Sequence, residues 1–269
     1  MNVLFTQPKW DNWVECIYKL DNSYILNITN NTKIDEFISY IKKNSIKIFI
    51  PLELPDIQFT ITHRKKIERY VPYIICCKRF SSVAVLDDKC EFANFMTKNN
   101  LNHLVPETYM NSGIKYCDIV FPCIKKLHNM YGGIGTRIYK NESDYLIDTD
   151  YNKKLGKYII QECIFGKTEY AGNFYIKDGI IKLAIYYEGM RNELLYIKYG
   201  PFQTKKKISL DLNTEFEQIL KIINYTGFMN VDFKLVNERP IIFECNCRFG
   251  GGNIADITDL KAMIDACSK

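Results

Sequence analysis

Four residues in the C-terminal part of the chain have the types and spacing to hold a cation next to an anion: Asp232, Glu244, Asn246 and Arg248. They fall within residues 231–252, two apolar runs around a polar turn, the pattern of a β-hairpin. Side chains alternate across a strand, so Glu244, Asn246 and Arg248 project from one face and Cys245 and Cys247 from the other. A turn made of Asn237, Glu238 and Arg239 sets Val236 opposite Pro240 and, counting outward, Asp232 opposite Glu244. Directly opposed side chains have Cβ atoms about 5 Å apart. Two carboxylates that close repel unless a cation lies between them, and hard oxygen ligands of this kind suit Mg²⁺. The same charges would also suit a solvated surface hairpin, and the hairpin alone does not separate the two readings.

The elements that must position this hairpin are legible upstream. Residues 3–5, 24–28, 46–51 and 73–77 read as strands, the third a continuous apolar run of the kind buried in a parallel sheet. Ile34, Phe37, Ile38 and Ile41 recur at helical spacing behind Thr32 as an N-cap, and 63–69 reads as a basic helix. This alternation predicts a small open α/β unit whose ligand-facing edge lies at strand C-termini, near 6–7 and 51–53. Residues 85–89 lead into a helix ending near Asn99, and 119–126 read as a strand ending in Lys125 and Lys126. The glycine-rich stretch 131–137 lacks the Gly-Lys-Ser/Thr ending of a P-loop and precedes a β-prone segment, which fits a strand-to-strand flap. A short helix over 141–149 and a strand over 158–164 follow. Strands near 174–176 and 180–187 meet at the turn Asp178-Gly179. Lys205, Lys206 and Lys207 read as a solvated loop. Phe216, Ile219, Leu220 and Ile223 form a helical stripe, with Asp211 or Asn213 as its cap and Gly227 as its end. A terminal helix over 256–267 completes the chain.

Bulk properties bound the function. With 269 residues, 47% hydrophobic and 25% charged, the chain has the composition of a globular protein able to bury a substantial core. A net charge of +5 permits anionic small molecules and does not point to nucleic acid. No run approaches the roughly 20 apolar residues of a membrane span. The first residues show no signal peptide, and the ten cysteines include no Cys-x-x-Cys, so reduced, buried cysteines in a cytoplasmic protein are expected. Only three histidines, far apart, leave a zinc site little to build on.

The order of parts resembles one family. Asp88-Lys89, Phe121-Pro122 with Lys125, the glycine-rich flap, Gln161-Glu162 with Ile164 and Gly166, Val231-Asp232-Phe233, and Glu244, Asn246 and Arg248 at alternate positions resemble the ATP-grasp superfamily. That family includes carbamoyl phosphate synthase, biotin carboxylase and D-alanine ligase, and the match spans about 85–252. The resemblance implies an α/β (α+β) fold. A small open α/β N-terminal domain over 1–84 would precede an ATP-grasp domain over 85–269, with a flap-bearing lobe at about 115–165. The nucleotide would lie between two α+β lobes.

It also implies roles. Glu244 and Asn246 would hold Mg²⁺, with Asp232 completing the shell and Mn²⁺ as a substitute. Lys125 would touch the α- and β-phosphates; the family usually has Lys-Pro where this chain has Lys125-Lys126, so the choice between the two lysines stays open. Lys89 corresponds to an earlier lysine near the nucleotide. Gln161, Glu162 and Ile164 would form the hinge at the adenine edge, and Glu169 would meet the ribose hydroxyls. Gly132, Gly133 and Gly135 would let backbone N–H groups approach phosphate. Arg248, assisted by Arg191, would meet an acyl phosphate or substrate carboxylate, a task suited to a planar bidentate donor.

The implied activity is an ATP-dependent ligase joining a carboxylate to an amine, or a thiol, through an acyl phosphate, with release of ADP and phosphate. An ATP-grasp kinase acting on a hydroxyl and a non-catalytic nucleotide-binding regulator are the alternatives. The implied partners are small-molecule carboxylates and amines, neither nucleic acid nor membrane, with a second copy of the chain able to complete the acceptor site as a homodimer.

Overall fold

A computed structural model describes residues 1–9, 11–110, 118–128, 130, 133–152, 157–191, 193, 204–250 and 256–267. Its first sheet has four parallel strands, β1 (Val3–Thr6), β2 (Ser23–Leu26), β3 (Ile48–Ile50) and β4 (Tyr73–Ile74), in the order β2-β1-β3-β4. Helices α1 (Asp11–Tyr18), α2 (Ile34–Lys43) and α3 (Leu54–Ile67) make the crossovers. α2 buries the predicted stripe Phe37, Ile38 and Ile41, but Thr32 does not cap it. The N-cap is Lys33, without a side-chain bond, and the Thr32 hydroxyl instead accepts from the Thr29 N–H. α3 starts nine residues earlier than the basic run His63 suggested, because Pro55 suits a first turn and the Asp56 carboxylate accepts from the Glu53 N–H. α1, with Trp13, Cys16 and Ile17 buried, was not expected from the sequence.

Helices α4 (Phe80–Asp87) and α5 (Lys89–Lys98) meet at Asp88, whose backbone is extended. The Asp88 carboxylate caps α5 by accepting from the Cys90 and Glu91 N–H groups. A second, antiparallel sheet contains β5 (Thr108–Met110), β6 (Cys123–Leu127), β7 (Arg137–Tyr139) and β8 (Tyr158–Glu162), in the order β5-β8-β6-β7, with α6 (Glu142–Asn152) attached. Tyr109, Cys123, Tyr139, Tyr145 and Ile160 form its own small core. Lys125 and Lys126 lie inside β6, which continues to Leu127, and not at its end.

The largest sheet is antiparallel: β9 (Thr168–Lys177), β10 (Ile180–Met190), β11 (Thr204–Ile208), β12 (Gly227–Val236) and β13 (Arg239–Asn246), ordered β11-β10-β9-β12-β13. Asp178 and Gly179, both at positive φ, make the expected tight turn between β9 and β10. The lysine run 205–207 is the edge strand β11 and not a loop: Lys206 pairs with Glu188 and Lys207 with Asp259, which holds the strand in place. α7 (Asn213–Ile223) is capped by neither Asp211 nor Asn213; its N-cap is Leu212, and the Asn213 side-chain Oδ1 accepts from the Tyr186 hydroxyl. It ends at Asn224 in the left-handed region, and Gly227 is already the first residue of β12. α8 (Ile257–Cys267) follows as predicted.

One continuous core joins the first and largest sheets, running from Leu4, Phe37 and Phe49 through Met96 to Phe174, Phe216 and Phe233. The fold is therefore mixed α/β, with one parallel and two antiparallel sheets. The largest sheet turns Val231, Phe233, Ile242 and Cys245 into that core; its other face packs Tyr175, Ile185, Tyr187 and Phe228 into a second core with β1, β3 and α8 and carries Asn230, Asp232 and Lys234 further along β12.

Candidate functional site

The hairpin reaches the predicted pairing by an unpredicted route. Its turn has two residues, Asn237 and Glu238, both at positive φ (50° and 65°), so Val236 pairs with Arg239 and Leu235 with Pro240. A two-residue turn alone would put Asp232 out of step with Glu244. A β-bulge corrects the count: Phe233 pairs with Ile242 and Asp232 with Glu244, leaving Phe243 as the extra residue. Ile242, Cys245 and Cys247 are buried in the core, and the alternation that remains sends Glu244, Asn246 and Arg248 to the opposite side.

Glu244 and Arg248 each have an oppositely charged neighbour from another element. The Lys89 ammonium, in the first turn of α5, bonds Glu244 Oε1 at 3.1 Å and the Met130 carbonyl at 2.5 Å. Its backbone N–H donates to the His128 carbonyl, while His128 Nδ1 lies 2.6 Å from Asp88 Oδ2. Arg248 donates through Nη1 to Asp87 Oδ1 (2.7 Å) and through Nη2 to Asn246 Oδ1 (3.0 Å). These charges are 80–88% shielded from solvent, so their interactions are less screened than those of surface pairs. Asp232, across from Glu244, is buried.

The two lysines of β6 separate by strand alternation. Lys125 is buried on the side of Cys123 and Leu127, its ammonium 5.9 Å from the Tyr139 ring centre. Lys126 faces the site: it donates to Gln161 Oε1 (3.2 Å) and sits 5.1 Å from the Phe243 ring centre. Burial, and then the nearby Lys89 charge, bring the Lys126 ammonium down to about 8, against the opposing pull of Glu244. The structure thus brings Lys126, and not Lys125, to the hairpin.

Gly133 and Gly135 have φ of 78° and 69° in the β6–β7 connection, and a Cβ on Gly135 would lie 2.3 Å from Leu127 Cδ1. Gly132 lies outside the described residues. Gln161 is buried, its amide donating to Thr108 Oγ1. The Glu162 carboxylate is engaged by the Glu107 N–H at 2.9 Å, so its side chain serves the edge strand β5. The Ile164 carbonyl, in the connection from β8 to β9, accepts from Lys234 Nζ at 2.8 Å. Glu169 is buried on β9, paired with Gly189, and Arg191 is buried two residues past Gly189, its N–H donating to the Lys167 carbonyl.

Three participants escaped the sequence reading. Asp87 is 161 residues from Arg248, and no spacing rule connects them. Lys234 follows Asp232 on the same strand face, a signal that alternation could have offered. Glu53, the N-cap of α3, has its carboxyl pushed up by burial and held back by the Arg248 guanidinium, which places it near the arginine end of the site. The predicted edge at 51–53 does therefore adjoin the hairpin.

Asp232, Glu244 and Asn246 form a hard-oxygen donor set, too sparse for zinc; among the described residues no group of three His, Cys, Asp or Glu side chains converges. Sparse sets of one or two carboxylates suit Mg²⁺ when phosphate oxygens supply further ligands. The Lys89 ammonium on Glu244 shows that this carboxylate is already balanced by a cation, so the residues fit the ion.

No family model and no curated relative matches the sequence. Solved structures do match in fold. D-alanine–D-alanine ligase from Bacillus anthracis aligns with 100% of this chain and 97% of its own at a TM-score of 0.62 and 16% identity. Biotin carboxylase from Campylobacter jejuni, in a β,γ-ATP complex, aligns with 99% of this chain and 70% of its own (TM-score 0.63, 14% identity). L-Amino acid ligase from Bacillus licheniformis covers 95% and 69% (TM-score 0.60, 12% identity).

Proposed function

Starting from the ATP-grasp fold of this chain, we propose that it is an ATP- and Mg²⁺-dependent ligase that joins a small-molecule carboxylate to an amine. The observation that carries the reading is the opposed pair Asp232 and Glu244, set by the bulged hairpin, with Lys89 and Lys126 directed at it from two other elements. Structural neighbours with ATP or magnesium-ADP bound support the cofactors. We assign 1–84 to an N-terminal α/β domain and 85–269 to the ATP-grasp domain, with the flap-bearing lobe at about 115–165.

Asp232, Glu244 and Asn246 would hold the metal, and Mg²⁺ would supply charge neutralisation along the triphosphate. Lys126 takes the phosphate role, which the resemblance left open between Lys125 and Lys126, because of the two it is Lys126 that faces Glu244. Lys89 would move from Glu244 to phosphate when the metal takes its place. The hinge at 161–164 would meet the base and Glu169 the ribose. Arg248, braced by Asp87, would orient the carboxylate of the substrate or its acyl phosphate, with Arg191 further along the same face. An amine then displaces phosphate to form the amide, while the flap excludes water.

The test is release of ADP and free phosphate with a panel of carboxylates and amines. Turnover should fall by at least about 100-fold in Glu244→Gln, the scale of losing one preorganised electrostatic group. Full turnover in that variant refutes the metal assignment. Phosphate retained on the substrate indicates a kinase instead, and ATP binding without turnover in every mixture indicates a regulator.

A further inference from the structure

Lys234 has no part in the scheme above, yet it is among the most buried of the described lysines, with 5% of its surface exposed. A buried ammonium is costly unless it is paired and hydrogen-bonded. This one donates to the Ile164 carbonyl at 2.8 Å, and the Glu169 carboxylate favours its charge against the burial that lowers its affinity for a proton. It lies two residues after Asp232 on β12, so one strand face carries both a carboxylate of the hairpin pair and this ammonium.

The bond lands on a critical connection. Residues 163–167 link β8, in the flap-bearing sheet, to β9, in the largest sheet. Their ends are tied by the Glu162 N–H to the Glu107 carbonyl and by the Arg191 N–H to the Lys167 carbonyl. Lys234 ties the middle. A charge-assisted bond of this length is stronger than a neutral one. The C=O and N–H of a trans peptide unit point in opposite directions. Holding the Ile164 carbonyl on Lys234 therefore fixes the Phe165 N–H toward the other side.

We infer that Lys234 is a positioning residue for the nucleotide base: it locks the β8–β9 connection and aligns Glu169, so that base and ribose meet preset partners. The inference rests on the nucleotide reading given above. Its experiment compares wild type with Lys234→Met, which keeps length and loses donors, and Lys234→Arg, which keeps charge and donors. Calorimetric ATP affinity, the steady-state constants and amide exchange of 163–167 are the readouts. Lys234→Met should weaken ATP binding and raise the KM for ATP about tenfold, the usual scale for a supporting contact. Its kcat should stay within about twofold, because the reacting groups are untouched. Amide exchange should accelerate at 163–167 and remain unchanged in the β9–β12 ladder, and Lys234→Arg should recover most of the affinity. Lys234→Gln, with a polar donor, carries the same test should the methionine variant not fold. Wild type that binds no ATP refutes the nucleotide reading and this inference with it. Wild-type binding with equal affinity in Lys234→Met, or loss of kcat and stability that Lys234→Arg does not restore, overturns the role of Lys234 and leaves the nucleotide reading standing.

Discussion

At the scale of residues, the site is decided by which side chain faces which. Lys125 and Lys126 are adjacent in sequence, but alternation across β6 sends only Lys126 toward Gln161 and Glu244. Lys126→Met should lower ATP affinity on the order of tenfold or more, the scale of a lost charge-assisted contact, and Lys125→Met should change it little, as read by calorimetry. The depressed proton affinity of Lys126 adds a pH signature. Its ammonium titrates near 8 in the folded chain against 10.5 ordinarily, so between these values the unfolded chain holds the proton and the folded chain does not. This group therefore adds stability as pH rises through that window. Phosphate favours the charged form, so ATP affinity should fall over the same window and binding should take up a proton. Titrations in two buffers of different ionisation enthalpy measure that uptake, and Lys126→Arg should abolish it.

At the scale of elements, the hairpin shows how far periodicity reaches. Alternation gave the correct face for Glu244, Asn246 and Arg248, because a strand has few ways to arrange a polar and a buried series. The turn was misread because Asn237-Glu238 lacks the glycine that marks a two-residue turn, and the bulge at Phe243 left no trace in the pattern. Two one-residue departures cancelled, and Asp232 met Glu244 as expected. Glu238 at φ 65° is strained for a side-chain-bearing residue by about 1–2 kcal/mol, more than the roughly 0.5–1 kcal/mol of extra chain entropy a glycine must lose, so Glu238→Gly should raise the melting temperature by up to a few degrees. A drop in melting temperature contradicts the turn geometry. β11 was hidden for a different reason: three successive lysines read as solvated, and it takes the backbone ladder with β10, with Glu188 and Asp259 pairing Lys206 and Lys207, to make them a strand.

At the scale of the whole molecule, the order of parts was the most legible feature, since each motif is weak alone and their succession is not. The packing between parts was not legible. A continuous core fuses the first and largest sheets, while the second sheet, β5–β8, keeps a separate one around Tyr139 and Ile160. Ile160→Ala, at a fully buried position, should cost about 2–5 kcal/mol and accelerate amide exchange in β6–β8 while sparing β9–β13. Uniform acceleration across all three sheets would contradict that division. The central claim is that the hairpin carboxylates hold a metal which in turn holds a nucleotide. Its most direct test is calorimetric titration of ATP, with magnesium and with chelator, into wild type and Glu244→Gln. Wild type should bind tightly and only with magnesium, and Glu244→Gln weakly and without dependence on it. Binding of equal strength in all four titrations would contradict it.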